Sequence, residues 1–386
     1  MTTLSVLVSL ASVIVFQRLT KRLIISMIAG FAVFSLINQQ VIHQFTKVFL
    51  AAIGDNSFIT LLPSIFLIYF LGELMSICGD AAHFSTSVQR LFQDTKSAAV
   101  LMPAVIGLMP MPAGAMFTAP IVDQIGVGMS NLQKTAVNYW FRHCLEFFWP
   151  VYPAMYLLSS LTNTPLGTIS LRLLPLFLVS FLTGWIYLNG FTLPRINRMS
   201  MQDWKKMWPI LIILSTGFMI LVFKLDGWLA LLIASSFYAV LKMKFVPKAL
   251  IQGLKKMDIV PILLVVFLYK HSMIDLGIGQ KMNGELSQAG LSVLVISIIV
   301  PLVIGMSTGL TSAAVGVYLP VLLGIGANKL AVVAYIFSVI GVLLSPVHLC
   351  LVLTCEYFKV DFTAVLKRIF VPIVVVSVAA ILLYSW

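Results

Sequence analysis

Arg142, His143 and Glu146 sit together inside an otherwise apolar run, Thr135–Leu161. A guanidinium can bind a carboxylate or another anion through paired hydrogen bonds, and a carboxylate or imidazole can hold a proton or a coupling cation. Arg142 and Glu146 are four residues apart, on one helix face. A self-neutralised pair that merely holds the helix in place is therefore the alternative reading. His348 follows Ser345-Pro346, a serine and proline suited to the N-cap and first position of a helix. It could act as a proton relay or as a hydrogen-bonded packing residue. Ser307, Thr308, Thr311 and Ser312 gather hydroxyls around Gly309, where they could cap a returning helix and face a ligand. Packing of helices through small residues is the bland account of the same hydroxyls. Pro112, Gly114 and Thr118 form a comparable group in the first half, and Glu73 is a further ionisable residue toward the end of an apolar run.

These residues stand out because charge is scarce. Of 386 residues, 60% are hydrophobic and 10% charged, against about 25% charged in ordinary globular chains. The length would suit two or three soluble domains at roughly 100–200 residues each. The composition excludes that and points to an all-α polytopic membrane protein. Ten candidate spans are read: Leu4–Phe16, Leu23–Ile37, Phe58–Gly79, Thr135–Leu161, Gly167–Asn189, Trp208–Phe223, Trp228–Leu241, Ile259–Tyr269, Leu330–Glu356 and Ile369–Tyr384. The first run has no basic residue before it, so a retained span is expected rather than a cleaved signal. The four cysteines have no CxxC spacing, and a role as small hydrophobes is expected of them, with no metal site.

Two stretches are apolar but unsuited to straight helices. Ala98–Val122 contains Pro103, Pro110, Pro112 and Pro120, and Leu286–Asn328 contains Pro301, Gly305, Gly309, Gly316 and Pro320. Interior proline removes a backbone bond, and opened backbone at membrane depth is tolerated only inside protein or beside a cavity. Both read as re-entrant hairpins, about 97–126 and 289–327, with tips at 110–114 and 307–309. The polar segments Asp80–Lys96 and His271–Gln288 before them read as interfacial helices or ordinary loops.

With each hairpin entering and leaving on one side, eighteen of the twenty-five Lys and Arg fall in loops on one face. Six fall on the other (Lys47, Arg172, Lys224, Lys270, Lys281, Lys329), and Arg142 lies within a span. The richer face is expected to be cytoplasmic, with both termini outside. The net charge of +12 then reads as an orientation signal, and no nucleic-acid partner is expected.

The order of parts repeats: three spans, a polar segment, a hairpin, a broken span and a closing span. Pro63 pairs with Pro261, and Trp149-Pro150 pairs with Ser345-Pro346 at nearly the same interval. Five crossings is an odd number, so the second unit, 201–386, sits inverted against the first, 1–200.

This order, the proline-glycine tips and the inverted halves resemble the ion transporter superfamily of secondary carriers. That group includes the divalent-anion/sodium symporters and the gluconate and citrate permeases. Met109-Pro110-Met111-Pro112-Ala113-Gly114 with Ala119-Pro120 is similar to the tip of an uncharacterised prokaryotic integral membrane family within it. The Ser-Asn-Thr signature of the dicarboxylate carriers is missing at both tips. The resemblance implies a prokaryotic inner-membrane carrier, a homodimer and an elevator-like motion.

The expected function is secondary active transport of a small organic anion, driven by a proton or sodium gradient. Substrate-binding candidates are Pro112, Gly114, Thr118, Arg142, Ser307, Thr308, Gly309, Thr311, Ser312 and Ser345. Coupling candidates are Glu73, His143, Glu146 and His348. The alternative class is an ion channel, or an ion/proton antiporter without an organic substrate. No HExxH, Gly-x-Ser-x-Gly or phosphate-binding glycine motif appears, so neither an enzyme nor a cofactor beyond the coupling Na+ or H+ is expected.

Overall fold

The computed structural model describes residues 2–80, 83, 87, 95–108, 115–190, 200–290 and 292–385. Among these the chain is helical throughout, with no strand. The first half runs α1 (Thr2–Thr20), α2 (Leu23–Ile37), α3 (Gln39–His43), α4 (Phe45–Gly54), α5 (Asn56–Ile77), α6 (Thr95–Gly107), α7 (Ala115–Ile125), α8 (Asn131–Cys144), α9 (Pro153–Thr162) and α10 (Leu166–Gly184). The second runs α11 (Met201–Met207), α12 (Pro209–Leu221), α13 (Gly227–Leu241), α14 (Val246–Lys255), α15 (Val260–Asp275), α16 (Ile278–Gln288), α17 (Val293–Thr308), α18 (Thr311–Gly324), α19 (Ala331–Leu343), α20 (Leu349–Phe358) and α21 (Phe362–Tyr384).

Among the described residues four helices are long and apolar enough to cross a membrane: α1, α5, α10 with its π-helical end, and α21. Counting the bent pairs α13–α14 (101°) and α15–α16 (68°) as one span each makes six. The chain is compatible with a multi-pass membrane protein. Two interruptions fall where the sequence places proline. Helix α8 tightens into a 3-10 turn at Leu145–Phe147, and α9 starts with Pro153 in its first turn. Helix α19 ends at Leu343, and α20 does not begin until Leu349. At ten residues, α9 and α20 are each about 15 Å long, half of a ~30 Å hydrocarbon core.

The polar stretch 271–288 is helical rather than an ordinary loop, in two pieces. Residues His271–Asp275 continue α15, and a bend at Gly277 (φ +64°) turns the chain into α16. A φ of this sign costs glycine nothing and most other residues strain. The stretch 38–57, assigned to no span, folds into α3 and α4. Most of Asp80–Lys96 lies outside the described residues.

Element boundaries in the two halves recur at one constant interval. The start of α21 at Phe362 answers that of α10 at Leu166. At the same interval α20 (Leu349–Phe358) answers α9 (Pro153–Thr162) at both ends. The left-handed residue that ends α9, Asn163 (φ 51°), has its counterpart in Lys359 (φ 54°), which ends α20. Packing crosses between the halves: α9 lies against α18, and α20 lies against α7. Within the second half α17 packs closely along α19. A methyl group at Gly305 would run into the Ser338 carbonyl, and one at Gly341 into the Leu302 carbonyl. Small residues let the two backbones touch.

A partly buried ionic cluster ties α5 to α15. Asp55 caps α5 by accepting from the Ser57 N–H (2.8 Å), and it also accepts from Lys270 Nζ (2.7 Å) and His271 Nε2 (3.0 Å). His271 Nδ1 faces Asp275 at 2.6 Å. With both ring nitrogens donating to carboxylates, His271 is an imidazolium. Burial raises the Asp55 carboxyl, but the His271 and Lys270 hydrogen bonds and the Lys270 charge outweigh it. The group is held well below the usual carboxylate range. A depressed value stabilises the fold fully above the unfolded pKa of about 3.9, and that stability drains as pH falls toward the folded value. Thermal unfolding in detergent should therefore show a wild-type midpoint falling below about pH 4. Asp55→Asn should cost ~3 kcal/mol at neutral pH, because it strands Lys270, and should flatten that acid limb. An unchanged acid limb would show that other groups set it.

Candidate functional site

Buried carbonyls need hydrogen-bond partners, at the interruptions in α8–α9 and α19–α20 and at the ends of α6 and α17 alike. Side chains supply them. Arg142 Nη1 donates to the Ile106 carbonyl (3.1 Å), and Tyr152 Oη donates to the Gly107 carbonyl (2.5 Å), both at the end of α6. In the second half Ser345 Oγ donates to the Met306 carbonyl (2.6 Å), and His348 Nδ1 to that of Gly309 (2.7 Å), at the end of α17. Tyr152 and His348 stand at the interval that relates the two halves, and they do the same work. Two tyrosines at that interval reach across the halves. Tyr139 Oη donates to the Leu343 carbonyl (3.0 Å), and Tyr335 Oη to the Glu146 carbonyl (2.6 Å).

Between these supports lies a cavity of about 200 Å³, lined by Tyr69, Arg142, His143, Glu146, Tyr152, Pro153, Ala154, Leu310, Thr311, Ser312, Tyr335, His348, Leu349 and Cys350. Apart from Tyr69 of α5, the lining comes from the two interrupted helical runs and from the α17–α18 pair. A larger cavity of about 380 Å³ lies beside Tyr156, Lys224 and Asp226. None of the sequence-predicted residues lines it, and it lacks the buried ionisable groups of the first.

Polar side chains of the smaller cavity are paired with one another. Glu146 Oε2 accepts from Thr311 Oγ1 at 2.9 Å. His143 Nε2 and His348 Nε2 are 2.7 Å apart. The Gly309 carbonyl can only accept, so His348 carries its proton on Nδ1. With both rings neutral, its Nε2 then accepts from the Nε2–H of His143. The remaining nitrogen, His143 Nδ1, is buried and has no hydrogen-bond partner among the described residues. The Tyr139 ring packs on both imidazoles, with centroids at 4.9 and 5.7 Å. Cys350 adds a sulfur, so that two nitrogens and a thiol lie within 4.8 Å of one another. Two metal–nitrogen bonds of ~2.05 Å at a tetrahedral angle separate the nitrogens by about 3.3 Å. The closer approach of the two imidazoles is that of a shared proton.

The family described as "Protein of unknown function (DUF401)" matches residues 3–385. The chain belongs to that family. No curated protein matches it.

Of the sequence-predicted residues, Arg142, His143, Glu146, Thr311, Ser312 and His348 line one cavity. Three details differ from expectation. Arg142 and Glu146 do not form an i,i+4 pair, because the helix tightens to 3-10 at Leu145 and swings Glu146 toward Thr311. Ser307 and Thr308 do not cap the returning helix. Their hydroxyls bond back to the Val303 and Ile304 carbonyls, and Leu310 occupies the cap position. Ser345 starts no helix; it ties the break to Met306, and α20 begins at Leu349 with Pro346 in the turn before it. Gly309 adopts φ +65° and offers its carbonyl to His348. Glu73, one turn beyond Tyr69 on α5, is not part of the cavity wall and pairs with Lys256 of the α14–α15 junction. Thr118 is buried within α7 and is not part of the cavity wall. Pro112 and Gly114 lie outside the described residues.

Tyr69, Tyr152 and Tyr335 went unnoticed in the sequence, and Cys350 stands there only as a small hydrophobe. The matching positions of Tyr139 and Tyr335 in the two halves are the signal that could have found one of them. His348→Phe keeps the ring volume but removes the donor to Gly309. A cysteine at Thr308, buried beside that carbonyl, should then react with a small maleimide about tenfold faster, the equivalent of one hydrogen bond. Equal rates in both backgrounds would mean that the imidazole does not hold the tip.

Proposed function

We propose that the chain is a secondary active transporter of a small organic anion, a carboxylate, coupled to a proton or sodium gradient. The observation that carries this reading is the cavity itself. It is closed by one broken span from each half and by the second hairpin, and it joins an anion-binding group, Arg142, to proton- or cation-holding groups, Glu146 and the His143–His348 pair. In such a site substrate and coupling ion share one enclosure, which alternating access requires. Thr311 and Ser312, in the first turn of α18, add hydroxyls beside the free N–H groups of a helix start, a setting that favours a carboxylate.

The same reading takes the chain as two inverted units, 1–200 and 201–386, each of five spans and one hairpin, in the manner of the ion transporter superfamily. The constant interval between matching helix ends, and the reciprocal tyrosine bonds across the halves, support it. Side-chain contacts support the expected sidedness. Glu73 pairs with Lys256, Asp80 with Lys242 and Asp123 with Lys134, all assigned inside. Asp55 with Lys270, Arg172 with Tyr384 and the N-terminal amides with Glu285 group the outer face. Both termini then face outside the inner membrane. A homodimer with an elevator-like motion completes the proposal.

Reconstituted in proteoliposomes, the protein should accumulate a labelled carboxylate when an inward proton or sodium gradient is imposed, with saturation. Glu146→Gln should retain exchange but lose the gradient dependence. Conductance without saturation would replace the carrier with a channel. Cysteines introduced next to Lys205 and Lys359 should be labelled from the cytoplasmic side only; labelling from outside would reverse the assignment of faces.

A further inference from the structure

Helix α14 has three faces, and only one of them is used by the fold. Its chain, Val246–Lys255, leaves α13 through a 101° bend, so it cannot continue that span. At about 100° per residue, Ala249 and Gly253 share the face that packs on α5. They are buried there, with the Gly253 backbone close to Phe70 and Phe66. Around the helix come Leu250, Leu254 (60% exposed) and Ile251 (56% exposed). Lys255 and Lys248 follow on the third face, with Lys244 just before the helix. These three lysines have no ion pair among the described residues, whereas the flanking Lys242 and Lys256 are held by Asp80 and Glu73. The anchors sit at the ends, and the lysines between them point away from the protein. Exposed Trp204, with Lys205 and Lys206, lies in α11, which is joined to this region by Trp208 against Tyr238 (5.6 Å) and by Lys242 over the Trp208 ring.

We propose that α14 is a binding site for anionic phospholipid headgroups, a helix lying in the plane of the membrane surface. An apolar sector beside a basic one, at right angles to the preceding span, is the arrangement that seats a helix at the boundary of acyl chains and headgroups. Leu250, Ile251 and Leu254 enter the acyl region, and Lys244, Lys248 and Lys255 meet the phosphodiesters. The occupant is a lipid, because a soluble anion would leave the three apolar side chains in water. Charge complementarity selects an anionic headgroup over a zwitterionic one, and each lysine adds to that preference. The nearby tryptophan belongs to the same interfacial layer. This site is separate from the transport cavity and does not depend on the carrier reading.

The test uses the full chain in proteoliposomes of phosphatidylcholine with phosphatidylglycerol. A bimane label is placed at Ile251→Cys, and its signal is corrected against the same protein without the added cysteine. Quenching by doxyl-labelled phosphatidylglycerol should exceed quenching by doxyl-labelled phosphatidylcholine by about threefold or more, and the excess should shrink at high salt. K244Q/K248Q/K255Q should abolish the excess while both lipids still quench. A control pair on the opposite face, K224Q/K281Q, should leave it intact. Equal quenching by the two lipids in the wild type, or an excess unchanged in the triple variant, would overturn the headgroup site. Absence of quenching by either lipid would place α14 in water and overturn the seating as well.

Discussion

The structure depends on how opened backbone is satisfied where water is absent. Two helical runs break, at 145–152 and at 344–348, and the carbonyls at the ends of α6 and α17 receive side-chain donors. Left bare in an apolar interior, each such group would cost several kcal/mol. The protein answers with side chains: Arg142 and Tyr152 for the end of α6, Ser345 and His348 for the end of α17, and Tyr139 and Tyr335 across the middle. Most of the residues that stabilise the breaks therefore also line the cavity. Support of the breaks and lining of the cavity draw on one set of groups.

That double use explains why the polar residues here are few but closely linked. A proton shared between His143 and His348 connects α8 to the second break, and the other nitrogen of His348 connects that break to the turn at Gly309. Glu146 is joined to α18 through Thr311 and, by its own carbonyl, to Tyr335 of α19. A change of charge on one of these groups is felt by three or four helices at once. The two ends of the bundle are handled differently: Asp55 with Lys270 and His271 on one side, and Glu73 and Asp80 with the lysines flanking α14 on the other, tie helices together away from the cavity.

Much of the architecture was legible in the chain. Apolar runs between charges marked α2, α5, α10, α12 and α13 closely, because apolar length is what a bilayer demands, while α21 begins seven residues before the run read for it. Proline and glycine announced the breaks, since they cannot continue a backbone ladder. Helix α14 escaped notice because its sequence, Val-Pro-Lys-Ala-Leu-Ile-Gln-Gly-Leu-Lys, reads as a basic loop until its three faces are seen. Likewise α3 and α4 carry too little apolar length to announce themselves as spans.

For the site, residue type alone singled out Arg142, His143, Glu146 and His348, because ionisable groups are scarce and costly in such a chain. What each one touches was decided only by the tertiary structure. The 3-10 turn at Leu145 parts Glu146 from Arg142, a local tightening that no spacing rule foresees. Ser307 and Thr308 face their own helix while Thr311 faces Glu146, a choice set by where the left-handed Gly309 turns the chain. His143 and His348 lie 205 residues apart in sequence and 2.7 Å apart in space. Local pattern specifies which segments become helices, because that depends on near neighbours. Which side chains meet depends on how the two halves dock, and that is a property of the whole fold.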